Sequence, residues 1–119
     1  MATVQHKSLD QPDETRPIEK GTVEIVELDV GTVMRTTFEP GWRWSECVQP
    51  VVGGDSCQVD HFGYCISGRM HVRMNDGEEM EVGAGDAIRI PPGHDAWVVG
   101  EEPYVGVDFT GGAVYAKQG

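Results

Sequence analysis

The chain has 119 residues, enough for one domain with a single core, and its formal net charge at pH 7 is −11. Its nine Lys and Arg residues are scattered, which argues against a nucleic-acid partner. It contains neither an apolar run that would cross a bilayer nor an apolar signal segment near Met1, so we expect a cytoplasmic protein with no membrane partner. Cys47, Cys57 and Cys65 are expected to be free thiols.

The first 20 residues differ in composition from the rest of the chain. They are rich in charged residues and contain Pro12 and Pro17, so they can bury little surface. We therefore expect residues 1–20 to form a flexible arm and residues 21–119 to form one domain. Sixteen glycines and seven prolines punctuate the chain, which is typical of an all-β domain with short strands and tight turns.

Short strand-like segments follow one another along the domain. We predict strands over 22–28, 32–38, 59–66, 69–74, 78–82, 87–90, 95–99 and 104–109, and a short edge strand over 113–116. One face of the 69–74 segment is apolar and the other carries His71, which indicates a half-buried strand with a solvated side. Asn75-Asp76-Gly77 favours a hairpin turn, and Met80 and Val82 on the return strand are expected inside.

Two tryptophans precede a long connection. Alternation places Trp42 and Trp44 on one face of an extended segment, where they either fill the core, the more common role, or stack on a ligand. The connection over 45–58 contains a proline and the Gly53-Gly54 pair, so we expect an irregular segment that folds over an opening. Asp55 beside this pair favours a turn and is also a candidate ligand contact.

The spacing of one glycine and a Pro-Pro-Gly corner resembles the second motif of the cupin family. That motif is G(x)5PxG(x)2H, and here Gly85 is followed by five residues and then by Pro91-Pro92-Gly93. The resemblance extends over residues 38–109 and implies a cupin-type double-stranded β-helix, which is a jelly-roll barrel. Ala96 occupies the position of the family's histidine, and His94 lies two residues earlier, on the same side of a regular strand.

The first cupin motif, G(x)5HxH(x)3–4E(x)6G, is degenerate in this chain. With Gly68 as its closing glycine, His61 stands at the position of the metal-binding glutamate, and Cys57 and Asp55 stand at the positions of the two histidines. The resemblance implies that metal ligands would come from Cys57, His61 and His94, with Asp55 as a further candidate. This mixed set of oxygen, sulfur and nitrogen donors would suit zinc or iron better than magnesium, and the cofactor we expect is one divalent transition metal, zinc, iron, nickel or manganese, or none.

Each candidate ligand also has an interpretation without a metal. His61 can be satisfied by a neighbouring carboxylate or carbonyl, and His94 by backbone groups at the Pro-Gly corner. Cys57 can serve as a small buried apolar residue. The sequence is therefore compatible both with a barrel that has no cofactor and with a barrel that holds a metal ion.

Two functions fit these residues. We favour a small-molecule-binding barrel, with or without a metal, in which Trp42 or Trp44 and the 45–58 connection close over a small apolar or aromatic molecule. The alternative is a metal-dependent small-molecule enzyme of the dioxygenase or isomerase type, with the ion held by His61 and His94. An alanine in place of the second motif's histidine weighs against the enzyme.

Cupins similar to this chain pair through barrel faces, so the resemblance also implies a homodimer.

Overall fold

Nine strands and two short helices form the part of the chain that the computed structural model describes, residues 3–110 and Tyr115. In chain order they are β1 (Glu14–Ile18), β2 (Gly21–Leu28), β3 (Gly31–Phe38), α1 (Trp44–Cys47), α2 (Gln49–Val52), β4 (His61–Ser67), β5 (Arg69–Met74), β6 (Glu79–Gly83), β7 (Ala87–Ile90), β8 (His94–Val98) and β9 (Tyr104–Asp108). Neither helix is long or apolar enough to cross a membrane, and no other helix occurs in the described ranges.

Two antiparallel sheets pack on a shared core. The larger sheet has the strand order β1-β2-β3-β9-β4-β7, and the smaller has the order β6-β5-β8. The last strand, β9, thus lies between β3 and β4. From β4 onward the chain changes sheet at every step except from β5 to β6, which form a hairpin in the smaller sheet. The core contains side chains from both sheets, such as Met34 of β3 and Val72 of β5. The expected all-β jelly-roll fold is confirmed.

The segment expected to be an arm contributes a strand. Glu14–Ile18 pairs with β2 along its whole length as an antiparallel hairpin. Arg16 in this strand is only 8% exposed, and its guanidinium donates to the carbonyl oxygen of Tyr115 at 2.5 Å. Backbone pairing with β2 compensates for the polar composition of the strand. The domain boundary predicted at residue 20 therefore falls inside a hairpin.

The eight strands predicted up to residue 109 are present, with ends that move by one or two residues, whereas the edge strand predicted over 113–116 lies outside the described residues except for Tyr115. The hairpin turn at Asn75-Asp76-Gly77 joins β5 to β6, and Gly77 has the positive φ of 96° that such a turn favours. The prediction that Met80 lies inside is wrong, because its side chain is 61% exposed. β6 is the edge of the smaller sheet, and Val82 is its only residue in the core.

The connection before β4 is more regular than predicted. It contains α1 and α2; α2 has a proline in its first turn, and Gly53, whose φ is 81°, caps its C-terminal end. Trp44 is therefore the first residue of a helix and not a strand residue. Both Trp42 and Trp44 are 2% exposed and belong to the core. Both indoles therefore lie where the core-filling interpretation expects them.

Candidate metal centre

Three donor side chains converge inside the barrel. One ligand atom from each of Cys57, His61 and His94 lies within 4.8 Å of the other two. Cys57 precedes β4, His61 is the first residue of β4, and His94 is the first residue of β8. Because β4 and β8 belong to different sheets, the cluster spans the space between the sheets.

Backbone hydrogen bonds hold Cys57 against the start of β8. The Cys57 amide donates to the carbonyl oxygen of His94, and the Gly93 amide donates to the carbonyl oxygen of Cys57, both at 2.7 Å. Gly93 has a φ of 94°, a left-handed conformation that glycine adopts at little cost. The Pro-Pro-Gly corner of the second motif thus turns the chain so that His94 meets Cys57.

His94 faces into the barrel. It lies two residues before Ala96 on β8, and residues two apart on a strand point to the same side. Its side chain is 3% exposed, and its Nδ1 lies 2.8 Å from the carbonyl oxygen of Pro91. A carbonyl oxygen only accepts hydrogen bonds, so Nδ1 carries the proton and donates. The Nε2 lone pair of His94 is then left for a metal ion.

His61 is oriented by Asp108, a residue that the sequence motifs did not single out. The Nδ1 of His61 donates to Oδ2 of Asp108 on the neighbouring strand β9, and its Nε2 lies 3.8 Å from the Sγ of Cys57. The other oxygen, Oδ1 of Asp108, accepts from the Thr110 amide at 2.8 Å. A carboxylate behind a ligating histidine fixes the ring and its tautomer, which is the usual support for a metal-bound imidazole.

Opposite charges on Cys57 and His61 stabilise each other. Burial opposes a thiolate, but the hydrogen bonds of Cys57 with His61 and His94 outweigh burial and lower the pKa of the Cys57 thiol to about 6. Burial likewise opposes an imidazolium, yet hydrogen bonds to Asp108 and Cys57 raise the pKa of His61 to about 9. Near neutral pH the metal-free cluster therefore holds a Cys57 thiolate, the form of cysteine that binds transition metals, beside a protonated His61, whose Nε2 must lose its proton before it can bind an ion.

Two hollows meet at the donor cluster. The inner cavity, of about 50 Å³, lies between the sheets and is lined by His61, His94, Trp42 and mainly apolar side chains. The outer pocket, of about 510 Å³, lies under the connection that contains α1 and α2. Cys57 lines the outer pocket, while Trp44 and Tyr115 line both hollows. The donor cluster therefore borders a pocket whose volume is typical of sites that bind small molecules.

The remaining predicted site residues lie around the cluster. Trp42 and Trp44 line the inner cavity, whereas Asp55 is exposed and lines the outer pocket. Asp55 is not a member of the donor cluster, and its place as a ligand contact stays a prediction. His71 lies on the outer face of β5, where its Nε2 is 2.7 Å from Glu79, as expected for a surface histidine.

Comparison with known proteins agrees with this arrangement. Residues 54–109 match the family described as Cupin domain. The chain contains a small cupin domain. The matched segment begins just before Cys57 and ends just after Asp108, so it includes the whole donor cluster. No match was found among curated proteins.

Solved structures similar to this cupin domain share its fold at low sequence identity. A protein of unknown function from Rhizobium leguminosarum is 18% identical, covers 92% of this chain and 97% of its own, and has a TM-score of 0.64. An uncharacterized protein with a double-stranded beta-helix domain from Klebsiella pneumoniae is 20% identical, with coverage of 93% and 87% and a TM-score of 0.60. KdgF from Halomonas sp. is 19% identical, with coverage of 82% and 86% and a TM-score of 0.56.

Proposed function

We propose that this cupin domain binds one divalent transition metal through Cys57, His61 and His94 and presents it to a small molecule. The observation that carries the proposal is the convergence of three donor atoms within 4.8 Å from two different sheets. The set contains one sulfur and two imidazole nitrogens, which suits zinc or iron and does not suit magnesium. His61 and His94 each have Nδ1 engaged by an acceptor, which leaves Nε2 as the ring nitrogen for the ion. At His61 the ion would displace the proton that Nε2 carries near neutral pH.

The small molecule would reach the cluster from the outer pocket. This pocket of about 510 Å³ combines apolar walls, such as Val48 and Val59, with the polar side chains of Asp55 and Asn75. Binding sites for small molecules have this size and this mixture of apolar walls with a few polar groups. Cys57 at its inner end supplies the link between the bound molecule and the metal centre.

A metal-dependent reaction on that molecule is the second candidate, and the number of ligands favours it. Zinc sites with a purely structural role have four protein ligands, whereas catalytic ones have three and keep a position for water or substrate. A bound ion supplies a Lewis acid that polarises a carbonyl or lowers the pKa of water. The chain's own residues hold the donors in place and exclude bulk water, since Cys57 and His94 are buried.

Metal content tests the proposal directly. The protein is purified without added metal, loaded separately with Zn²⁺, Fe²⁺, Ni²⁺ and Mn²⁺, desalted, and analysed by inductively coupled plasma mass spectrometry. We expect about one ion per wild-type chain and at least about tenfold less in His61→Ala and His94→Ala, because each loses a direct ligand. His71→Ala is the matched control and keeps the ion, since His71 lies outside the barrel.

Two results would contradict the metal centre. Wild-type protein that retains none of the four ions under any loading condition has no such site. Retention of a full equivalent by both His61→Ala and His94→Ala would place the ion elsewhere.

A further inference from the structure

Trp42 carries a buried hydrogen-bond donor that lacks an acceptor. Its Nε1–H is the one buried side-chain polar group without a partner among residues 3–110 and Tyr115. The residue is 2% exposed, so water outside the protein does not reach the indole freely. Buried donors are almost always paired, and an unpaired one calls for an explanation.

The indole is held in place and is not able to turn toward another acceptor. Its ring stacks on Phe38 with centroids 3.8 Å apart and an angle of 6° between the planes. The Trp42 amide donates to the carbonyl oxygen of Glu39, and the Trp42 carbonyl oxygen accepts from the Val98 amide, both at 3.0 Å. The unpaired N–H is therefore a fixed feature of the barrel wall.

Trp42 forms part of the wall of the inner cavity. Trp42 lines this cavity together with His61 and His94, and most of the other lining side chains are apolar. One water molecule needs about 10–15 Å³ of such space, so a cavity of about 50 Å³ holds about four non-hydrogen atoms. Asp108 also lines it, but this carboxylate is engaged by His61 and by the Thr110 amide.

We propose that the inner cavity binds a small monocarboxylate of about the size of acetate, and that the Nε1–H of Trp42 donates to one of its oxygens. The indole N–H only donates, so its partner must be an acceptor, and a carboxylate oxygen accepts without donating in return. The apolar lining accommodates the methyl group. This inference rests on the proposed function, because the second oxygen faces the side of the cavity where His61 and His94 hold the ion.

Nuclear magnetic resonance of the indole groups tests the inference. Protein labelled with ¹⁵N, in zinc-loaded and metal-free form, is titrated with sodium acetate and, separately, with sodium benzoate. The chain has three tryptophans, so three indole signals are expected, and the Trp42 signal is assigned by its loss in Trp42→Phe. We expect acetate to move the Trp42 signal downfield in the zinc-loaded protein and benzoate, which is too large, to leave it unchanged.

Affinity in two variants separates donation from simple packing. Trp42→Phe keeps an aromatic ring against Phe38 but removes the donor, and we expect it to bind acetate about tenfold more weakly, read from the Trp44 indole signal. Trp97→Phe is the matched control, because Trp97 lies outside the barrel against His71 and Arg43. It should leave the acetate affinity unchanged.

The outcomes separate this inference from the metal centre. If zinc binds but acetate leaves the Trp42 signal in place, or if benzoate moves it as strongly as acetate, the inference is overturned and the metal centre stands. If no metal binds but acetate still moves the signal, the donor role stands and the metal centre fails. Should Trp42→Phe not fold, the signal is assigned instead by its nuclear Overhauser contacts to Phe38, and the wild-type titrations decide.

Discussion

At the scale of single residues, Cys57 differs from the other two cysteines although all three are buried and free. Burial is the main influence on Cys47 and Cys65 and raises the pKa of both thiols. At Cys57, burial acts in the same direction but is outweighed by His61 and His94, so that the pKa falls to about 6. At pH 7 Cys57 is therefore mainly thiolate, whereas Cys47 and Cys65 are mainly thiols.

Alkylation of the metal-free protein tests this difference. At pH 7 we expect iodoacetamide to modify Cys57 about fivefold faster than Cys47 or Cys65, because the larger thiolate fraction outweighs the lower nucleophilicity of a low-pKa thiolate. The rate at Cys57 should fall as the pH drops through about 6, where the thiolate is protonated. Peptide mass spectrometry measures the rate at each cysteine. Faster modification of either other cysteine would show that the histidines do not activate Cys57.

Motif spacing predicts the three donors but not the carboxylate that orients one of them. The spacing identifies Cys57, His61 and His94 as candidates, and the structure brings all three together. The motifs do not include Asp108. It lies 47 positions after His61 in the sequence, and the two meet only because β4 pairs with β9. One signal was available, since alternation from Tyr104 places an acidic side chain on the buried face of β9.

At the scale of elements, β4 and β9 approach each other closely beside the donor cluster. Gly63 of β4 stands opposite Asp108 of β9, and a Cβ at Gly63 would lie 1.8 Å from the carbonyl oxygen of Val107. The obstacle is backbone and not a flexible side chain, so the strands would have to separate. The contact of His61 with Asp108 therefore depends on a glycine two residues along the strand.

Gly63→Ala tests this close approach. We expect it to lower the free energy of unfolding by about 3 kcal/mol or more and to reduce bound zinc, because the separation of β4 from β9 disturbs His61. Urea denaturation followed by circular dichroism, with metal analysis, measures both effects. Gly83→Ala in β6 is the matched control, since its Cβ would meet nothing closer than 3.5 Å, and it should change stability by less than about 1 kcal/mol. Similar stability of the two variants would contradict the argument.

Strands are predicted better than their surroundings. Alternation and glycine turns identify eight of the nine strands, because apolar and polar residues alternate along a strand that has one buried face. β1 is missed because its stability comes from pairing with β2 and not from its own polar residues. α1 and α2 have only four residues each, which is too short for a helical period to be visible.

At the scale of the whole molecule, the homodimer stays a prediction, and the structure offers a surface for it. Phe62, Tyr64 and Ile66 point outward from β4 and are 56%, 45% and 49% exposed. Phe109 lies beside Phe62 with ring centroids 6.4 Å apart and is 48% exposed. A contiguous apolar row on a sheet is typical of an interaction surface. Two chains with a net charge of −11 repel each other, so pairing should strengthen with salt.

Multi-angle light scattering measures the mass in solution. We expect the mass of two chains at 0.3 M salt, and the mass of one chain for Tyr64→Lys, because a buried lysine opposes pairing through this row. Val30→Lys is the control, since Val30 is 93% exposed in a turn away from β4, and it should pair as the wild type does. A wild-type mass of one chain at every salt concentration would rule out the homodimer.

The position of the three donors has a thermodynamic consequence for the whole fold. Cys57, His61 and His94 are brought together by both sheets, so the folded barrel alone presents them as a set. In the unfolded chain the segment from β4 to β7, which lies between Cys57 and His94 in the sequence, no longer holds these two donors together, so the chain binds an ion far more weakly. If the proposed ion binds, stability is linked to metal supply: a free ion at about 100 times its dissociation constant adds about 2.7 kcal/mol to the free energy of unfolding. The amount of folded protein in a cell would follow the availability of the ion.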